Sequence, residues 1–326
     1  LRPRGATGIV APMLSHHAQT KPGRFLVLAM ISAALTAAGC RSEPAAESAP
    51  KPEASPAVGS GAAAEAAPPV ILTAGFEPST IAPGGTVTVL WRLLPAADWH
   101  LYWSGRNDSG FAPRVKLDLP PGWSAGPLQW PTPARYVSAG DILDHVYHGE
   151  LVLLQEITVP RDEAPGRRVE LRAAWQWLAC RDSCVPGRDS LRVSVDLAAA
   201  APIASDPSPA LLAARARLPR PLPPDVVTTA WEGVVLHIRR EGPDAGTAAG
   251  RMTFMPADDC GDLADLLHDG VGQSLALRLA PRDGQVGPVR GLLVLEGATG
   301  PARAFVLDVP AARLAAVPVN DTPAGG

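Results

Sequence analysis

From Val70 onward proline and glycine break the chain into short apolar runs. Proline cannot continue a helix interior or donate to a sheet ladder, and 36 prolines with 31 glycines in 326 residues exclude an all-helical bundle. The apolar runs left between these interruptions are short, at 70–74, 86–94, 100–103, 115–119, 151–159, 169–178 and 191–197. Alternation identifies two of them as strands packed on one side. Val169, Leu171, Ala173, Trp175, Trp177 and Ala179 share one face, as do Leu191, Val193, Val195 and Leu197, which is the period of two that a strand imposes. Seven turn-punctuated runs predict a mainly β protein built on an antiparallel β-sandwich.

A second, smaller β-rich domain is expected from runs at 226–238, 252–255, 274–279, 292–295 and 304–307, with a short helix at 263–268. Seven of the eight tryptophans precede it and only Trp231 lies within it, a composition break that separates the two units. The first-region tryptophans read as core and corner packing. These boundaries give 70–198 for the sandwich, 199–224 for a linker, 225–312 for the second domain and 313–326 for a flexible tail. Within the linker, 210–218 suits two turns of helix.

Residues 1–39 read as an export signal. Lys21 and Arg24 precede a 14-residue apolar run, 25–38, that ends in small residues. A bilayer-spanning helix needs about 20 apolar residues, so the run suits a signal better than a permanent span. The segment Leu35-Thr36-Ala37-Ala38-Gly39-Cys40 resembles a bacterial lipobox, which implies cleavage before Cys40 and lipid attachment to its sulfur. Residues 41–69 are almost entirely Ala, Pro, Ser, Glu and Gly, a composition that buries no core. The segment 40–69 is therefore expected to be a lipid-anchored tether, and Arg41 and Ser42 after the cysteine favour the outer membrane over the inner. Without the four basic residues of 1–39, 25 basic residues face 32 acidic ones. A nucleic-acid partner, which needs a basic track, is disfavoured.

The chemistry-bearing feature is Cys180-Arg181-Asp182-Ser183-Cys184-Val185-Pro186-Gly187, between the two alternating strands. A loop joining antiparallel strands brings its bases within reach of a disulfide, and Pro186-Gly187 is expected to supply the turn. Closing so short a loop removes only about 2 kcal/mol of unfolded-state entropy, against nearly 5 for a hundred-residue loop. A redox role gains weight accordingly. A structural disulfide and a pair of soft ligands for copper or zinc stay open on the residues alone. Cys-x3-Cys is not the Cys-x2-Cys of thioredoxin-type reductases.

Surrounding segments occur in a characteristic order: His100-Leu101-Tyr102-Trp103-Ser104-Gly105-Arg106-Asn107-Asp108-Ser109-Gly110, Gly126-Pro127-Leu128-Gln129-Trp130-Pro131-Thr132-Pro133, Tyr147-His148-Gly149-Glu150, then 180–187. Together they resemble the N-terminal periplasmic domain of the DsbD thiol:disulfide interchange family, in its suppressor-of-copper-sensitivity B-type branch. The resemblance covers 70–198 and, more loosely, Met252–Pro256 and Gly291–Leu295. It implies an immunoglobulin-like sandwich with no cofactor. Cys180 and Cys184 take the position of the catalytic pair that carries reducing equivalents from a membrane-embedded conduit to periplasmic protein thiols or disulfides. The sequence has neither the multi-span membrane domain nor the thioredoxin-like end of full-length members, so a DsbD-like membrane reductase is expected to act in trans.

Two other functions compete. One is a non-enzymatic protein-binding module with a structural disulfide. The other is copper binding by Cys180, Cys184 and one of His100, His145 or His148. Cys260, in Asp258-Asp259-Cys260-Gly261-Asp262, reads as an unpaired buried thiol, a partner of another cysteine or a metal ligand beside acids. The acids Asp258, Asp259 and Asp262 read as a solvated loop rather than a calcium site. Phosphate-cradling loops, a Gly-x-Ser-x-Gly elbow and a His-Glu-x-x-His helix are all absent from the sequence.

Overall fold

Tryptophans at inward strand positions set the architecture. Trp91 and Trp175 meet edge to face with ring centroids 5.6 Å apart, one from each of two sheets. Such a pair adds roughly 0.5–1.5 kcal/mol beyond its burial. The computed structural model describes residues 70–200, 206–241, 250–297 and 301–314. The expected export signal, Cys40 and the tether to residue 69 lie outside the described residues, as do parts of the linker and tail.

The first strands are β1 Val70–Glu77, β2 Thr80–Ile81, β3 Thr86–Pro95, β4 His100–Tyr102, β5 Arg114–Asp118 and β6 Ser124–Ala125. They are followed by β7 Ala134–Ser138, β8 Ile142–His148, β9 Leu151–Thr158, β10 Arg168–Cys180 and β11 Cys184–Leu197. One sheet has the order β1-β3-β9-β6 and the other β2-β11-β10-β4-β8-β7, with β5 also paired to β10. Val89, Leu93, Leu101, Leu153, Ile157, Leu171 and Val195 fill the space between them. This is the immunoglobulin-like sandwich, and Trp99, Trp103, Trp123 and Trp177 are buried in it as packing residues while Trp130 is half-buried.

The alternation expected for 169–179 is present in β10, but both long strands extend further than the apolar runs. β11 begins at Cys184 and pairs with β10 in unbroken register from Arg168↔Asp196 to Cys180↔Cys184. Pro186-Gly187 is therefore strand and not turn, with Pro186 opposite Leu178 and Gly187 opposite Trp177. Proline is tolerated because, among the described residues, β11 has a second neighbour only at Asp196 and Leu197. Glycine is needed because a Cβ at 187 would lie 2.3 Å from Trp177 Nε1. The hairpin β7–β8 was also not anticipated. It turns through Gly140 and Asp141, both at positive φ.

Helix α1 spans Pro209–Ala216, starting after Ser208, whose Oγ accepts from Leu211 N at 3.1 Å. Its Leu211 and Ala214 cover Leu90, Val152 and Leu154 on the outer side of β3 and β9. The second β-rich region contains β12 Arg220–Pro221, β13 Val227–Glu232, β14 Val235–Arg240, β15 Arg251–Pro256 and β16 Gly270–Val271. It continues through β17 Ser274–Arg278, β18 Gln285–Val286, β19 Val289–Leu295, β20 Arg303–Val309 and β21 Ala312–Arg313. Eight of these strands form one sheet, β12-β20-β19-β15-β16-β17-β14-β13, and β18 pairs with β21. The run 226–238 is a hairpin folded at Gly233, at φ 56°.

No helix forms at 263–268. Leu263 bridges Leu279, and Asp265 accepts from Leu267 N at 3.0 Å, a local bond that competes with helical geometry. The second sheet leans on the sandwich through Met255, Leu292 and Val294, which belong to the same hydrophobic cluster as Trp103 and Trp175. Arg106 N donates to Pro256 O at 2.9 Å, and Arg135 Nη2 donates to Leu267 O at 2.8 Å.

Because Gly187 admits the Trp177 ring against the ladder, Gly187→Ala is expected to cost about 1–3 kcal/mol by overpacking. Chemical denaturation of the oxidised protein measures this; an unchanged midpoint would show that the close approach is not needed.

Candidate functional site

The β10–β11 ladder ends in a three-residue tip, Arg181-Asp182-Ser183, in which Arg181 N donates to Ser183 O at 3.2 Å. Cys180 and Cys184 face each other across the last rung with Cα atoms 4.1 Å apart and are joined by a disulfide. Their surroundings differ. Cys180 is 3% exposed and packs with Tyr102, Val146 and Leu178, whereas Cys184 is exposed. Arg181 lies over the Trp99 ring at 5.2 Å and pairs with Asp182 at 2.9 Å. The positive charge at the tip is thus largely offset where it stands.

Tyr102 brings a polar group to the exposed sulfur. Its hydroxyl lies 3.6 Å from Cys184 Sγ and 3.1 Å from Ser109 Oγ. Ser109 Oγ donates to Asp144 Oδ2 at 2.5 Å and Ser109 N donates to Asp144 Oδ1 at 3.0 Å. A chain of groups therefore runs from Cys184 to a carboxylate that is 2% exposed. Burial pushes the Tyr102 phenol upward, so it keeps its proton and acts as a donor at neutral pH.

The 103–113 loop holds this arrangement. Asn107 Oδ1 accepts from His145 N at 2.7 Å, and Asp108 Oδ2 accepts from Leu143 N at 2.7 Å. A Cβ at Gly110 would fall 2.1 Å from the Tyr102 ring, so the loop backbone covers that ring directly. Pro131, from the second of the ordered segments, accepts from the Tyr147 hydroxyl at 2.7 Å. Glu150 pairs with Arg92 at 3.1 Å. Sequence reasoning did not single out Tyr102, Ser109 or Asp144 as a set. Their only signal was that the first two lie in the 100–110 segment, while Asp144 comes from the unanticipated hairpin.

The three histidines separate. His100 and His148 share the face that carries the cysteines, whereas His145 lies on the opposite face of β8, with Nδ1 2.8 Å from Arg106 O. Burial is the main cause that lowers the pKa of His145. Cys260 is elsewhere, a free thiol in the core of the second sheet, and burial raises its pKa. Asp259 pairs with Arg290 at 2.9 Å and Asp262 with Arg282 at 2.6 Å. Among the described residues, no three His, Cys, Asp or Glu side chains are grouped to hold a metal ion.

The hairpin tip thus carries a disulfide with one accessible and one buried sulfur. Residues 71–195 match the family described as thiol:disulfide interchange protein DsbD, N-terminal. The matched segment holds the whole β3–β10 stretch and both cysteines. Among solved structures, the N-terminal periplasmic domain of ScsB from Proteus mirabilis is 16% identical, with 73% of this chain and 92% of that one covered and a TM-score of 0.47. The reduced Neisseria meningitidis DsbD N-terminal domain is also 16% identical, over 38% of this chain and 86% of its own, with a TM-score of 0.23. No curated protein matches the chain. The segment similar to that thiol:disulfide interchange family contains both members of the disulfide, Cys180 and Cys184.

In the reduced module the Tyr102 hydroxyl is placed to donate to a Cys184 thiolate, a charge-assisted bond of about 1.5–3 kcal/mol. Tyr102→Phe is expected to slow alkylation of reduced Cys184 at neutral pH about tenfold, read by mass spectrometry. An unchanged rate would remove Tyr102 from the chemistry.

Proposed function

We propose that this chain is an exported thiol-disulfide interchange protein in which Cys184 is the sulfur that meets partners and Cys180 is the sulfur that resolves. The observation carrying this is the unequal burial of two sulfurs on one rung, within the segment similar to the DsbD N-terminal family. Exchange requires in-line approach of a thiolate to a disulfide sulfur, and the exposed sulfur is the one a protein thiol reaches.

In the oxidised protein, a partner thiolate attacks Cys184 Sγ, the 180–184 bond breaks, and Cys180 leaves with the electron pair. In the reduced protein, the Cys184 thiolate attacks a partner disulfide. Cys180 then attacks Cys184 Sγ in the mixed disulfide and releases the partner as thiol. Each cycle moves two electrons and two protons, and sulfur chemistry alone accomplishes it.

Similarity to this family supports a location on the periplasmic side of the cell envelope, with periplasmic thiol proteins and a membrane reductase as partners. The reading extends this to a DsbD-like membrane reductase acting in trans and to a lipid anchor at Cys40, which the lipobox-like segment before it supports. The acidic balance of the chain fits protein partners better than nucleic acid.

Trapping tests the assignment in intact envelopes. Cys180→Ser, which leaves the attacking sulfur without its resolver, is expected to accumulate mixed disulfides with exported proteins, and Cys184→Ser is expected to accumulate few. Absence of adducts in both variants, with a wild-type pair that never cycles, would leave the disulfide a structural one.

A further inference from the structure

The cysteine pair continues into a longer row. Ladder register places Cys184 opposite Cys180, Cys180 opposite His100, and His100 opposite His148. Directly opposed residues carry their Cβ atoms about 4.5–5.5 Å apart on one face of a sheet, so four adjacent strands present two sulfurs and two imidazoles in line. Burial varies along the row. Cys184 is exposed, Cys180 is 3% and His100 5% exposed, and His148 is exposed again. The two imidazoles are in edge contact, with ring centroids 5.5 Å apart.

Exchange demands something at Cys180 that exposed Cys184 obtains from water. When the disulfide opens, Cys180 leaves as a thiolate in an apolar setting among Leu178, Val146 and Tyr102, where a charged sulfur is disfavoured. When it closes, the same buried thiol must give up its proton before attacking.

We propose that His100 and His148 form a proton relay for Cys180, His100 exchanging the proton with the buried sulfur and His148 passing it to solvent. The proposal rests on the exchange reading above. On opening, the partner thiolate forms its bond to Cys184 Sγ, the 180–184 electron pair stays on Cys180, and a proton delivered through His148 and His100 neutralises that thiolate. The partner's second thiolate then displaces Cys184, leaving the partner oxidised and this chain reduced by two electrons. On closing, neutral His100 takes the Cys180 proton as the sulfur attacks the mixed disulfide and expels the partner thiolate.

The groups facing His100 suit this task. Tyr102 is on its own strand at 5.3 Å between ring centroids, Tyr136 on β7 at 5.4 Å, His148 and Asp144 are on β8, and Cys180 is opposite on β10. Arg181 stands over Trp99, the residue before His100, with its charge paired to Asp182. Burial, followed by the neighbouring His148, holds His100 below the ordinary imidazole value, and Asp144 opposes them. His100 is therefore the neutral, proton-accepting form at neutral pH, and its partner toward solvent is the exposed ring.

The test uses reduced full-length protein mixed with oxidised glutathione, following release of glutathione from the Cys184 mixed disulfide between about pH 5 and about pH 9. In wild type the release rate is expected to rise through a midpoint below the ordinary imidazole value and then level off. His100→Gln is expected to lose the plateau, to be at least about tenfold slower near pH 6.5, and to approach wild type at the alkaline end. His148→Gln, at an exposed position, is expected to move the midpoint upward because it removes the charge that holds His100 down. Profiles of unchanged shape, including a uniform slowing of His100→Gln at every pH, would overturn the relay. If His100→Gln fails to fold, an unmoved midpoint in His148→Gln overturns it alone. Failure of wild type to close its disulfide with glutathione would instead overturn the exchange reading.

Discussion

The site depends on the register of one ladder. β10 and β11 pair without a bulge from Arg168↔Asp196 to Cys180↔Cys184, and a one-residue slip would send the two sulfurs to opposite faces. What prevents the slip is far from the sulfurs. Val169, Leu171, Ala173 and Trp175 on β10, with Val193, Val195 and Leu197 on β11, are buried in the sandwich core. Exposing that set would cost several side chains' worth of burial, each about 1.5–3 kcal/mol. The hydrophobic base of the hairpin thus fixes the chemistry at its tip.

The same ladder explains why the two cysteines are inequivalent. Cys180 is on an interior strand, with β11 on one side and β4 on the other, whereas Cys184 opens a strand whose far side lacks a partner there among the described residues. Position within the sheet, rather than residue type, makes one sulfur accessible and the other sheltered. The 103–113 loop adds polar detail at real energetic risk, because Asp144 is buried and an unpaired carboxylate there would be costly. Backbone donors and hydroxyls meet it at Ser109, while Asn107 and Asp108 tie the loop to β8.

Much of this was legible in the sequence, and the misses have physical causes. Alternation along 169–179 and 191–197 was readable because one side of each strand meets the core. It stopped short of 184–190 because that part of β11 lies beyond the core, with every residue exposed or half-buried, so no apolar period is imposed and Pro186-Gly187 looked like a turn. The β7–β8 hairpin was missed because 134–148 mixes buried polar residues with apolar ones: Asp144 and His145 are both buried within β8. Those same polar residues join the site to its supporting loop. Helical spacing at 263–268 was overridden by a bridge between Leu263 and Leu279 and by Asp265 binding its own backbone. The cysteine positions were plain from the sequence, whereas the row through His100 and His148 needed strand pairing between residues 48 and 80 positions apart.

The proposed exchange function requires a fold that keeps its shape in both oxidation states, and the placement of this disulfide suits that requirement. A bond closing so short a loop adds only about 2 kcal/mol to folding on chain-entropy grounds. The hairpin it crosses is held by thirteen paired positions and by the sandwich core beneath them. Opening the bond is therefore expected to leave the ladder intact and the sulfurs opposed. A disulfide bridging distant segments would have tied reduction to loss of stability, coupling electron transfer to unfolding. In the proposed exchange function the fold carries the stability and the sulfur pair is left to carry electrons.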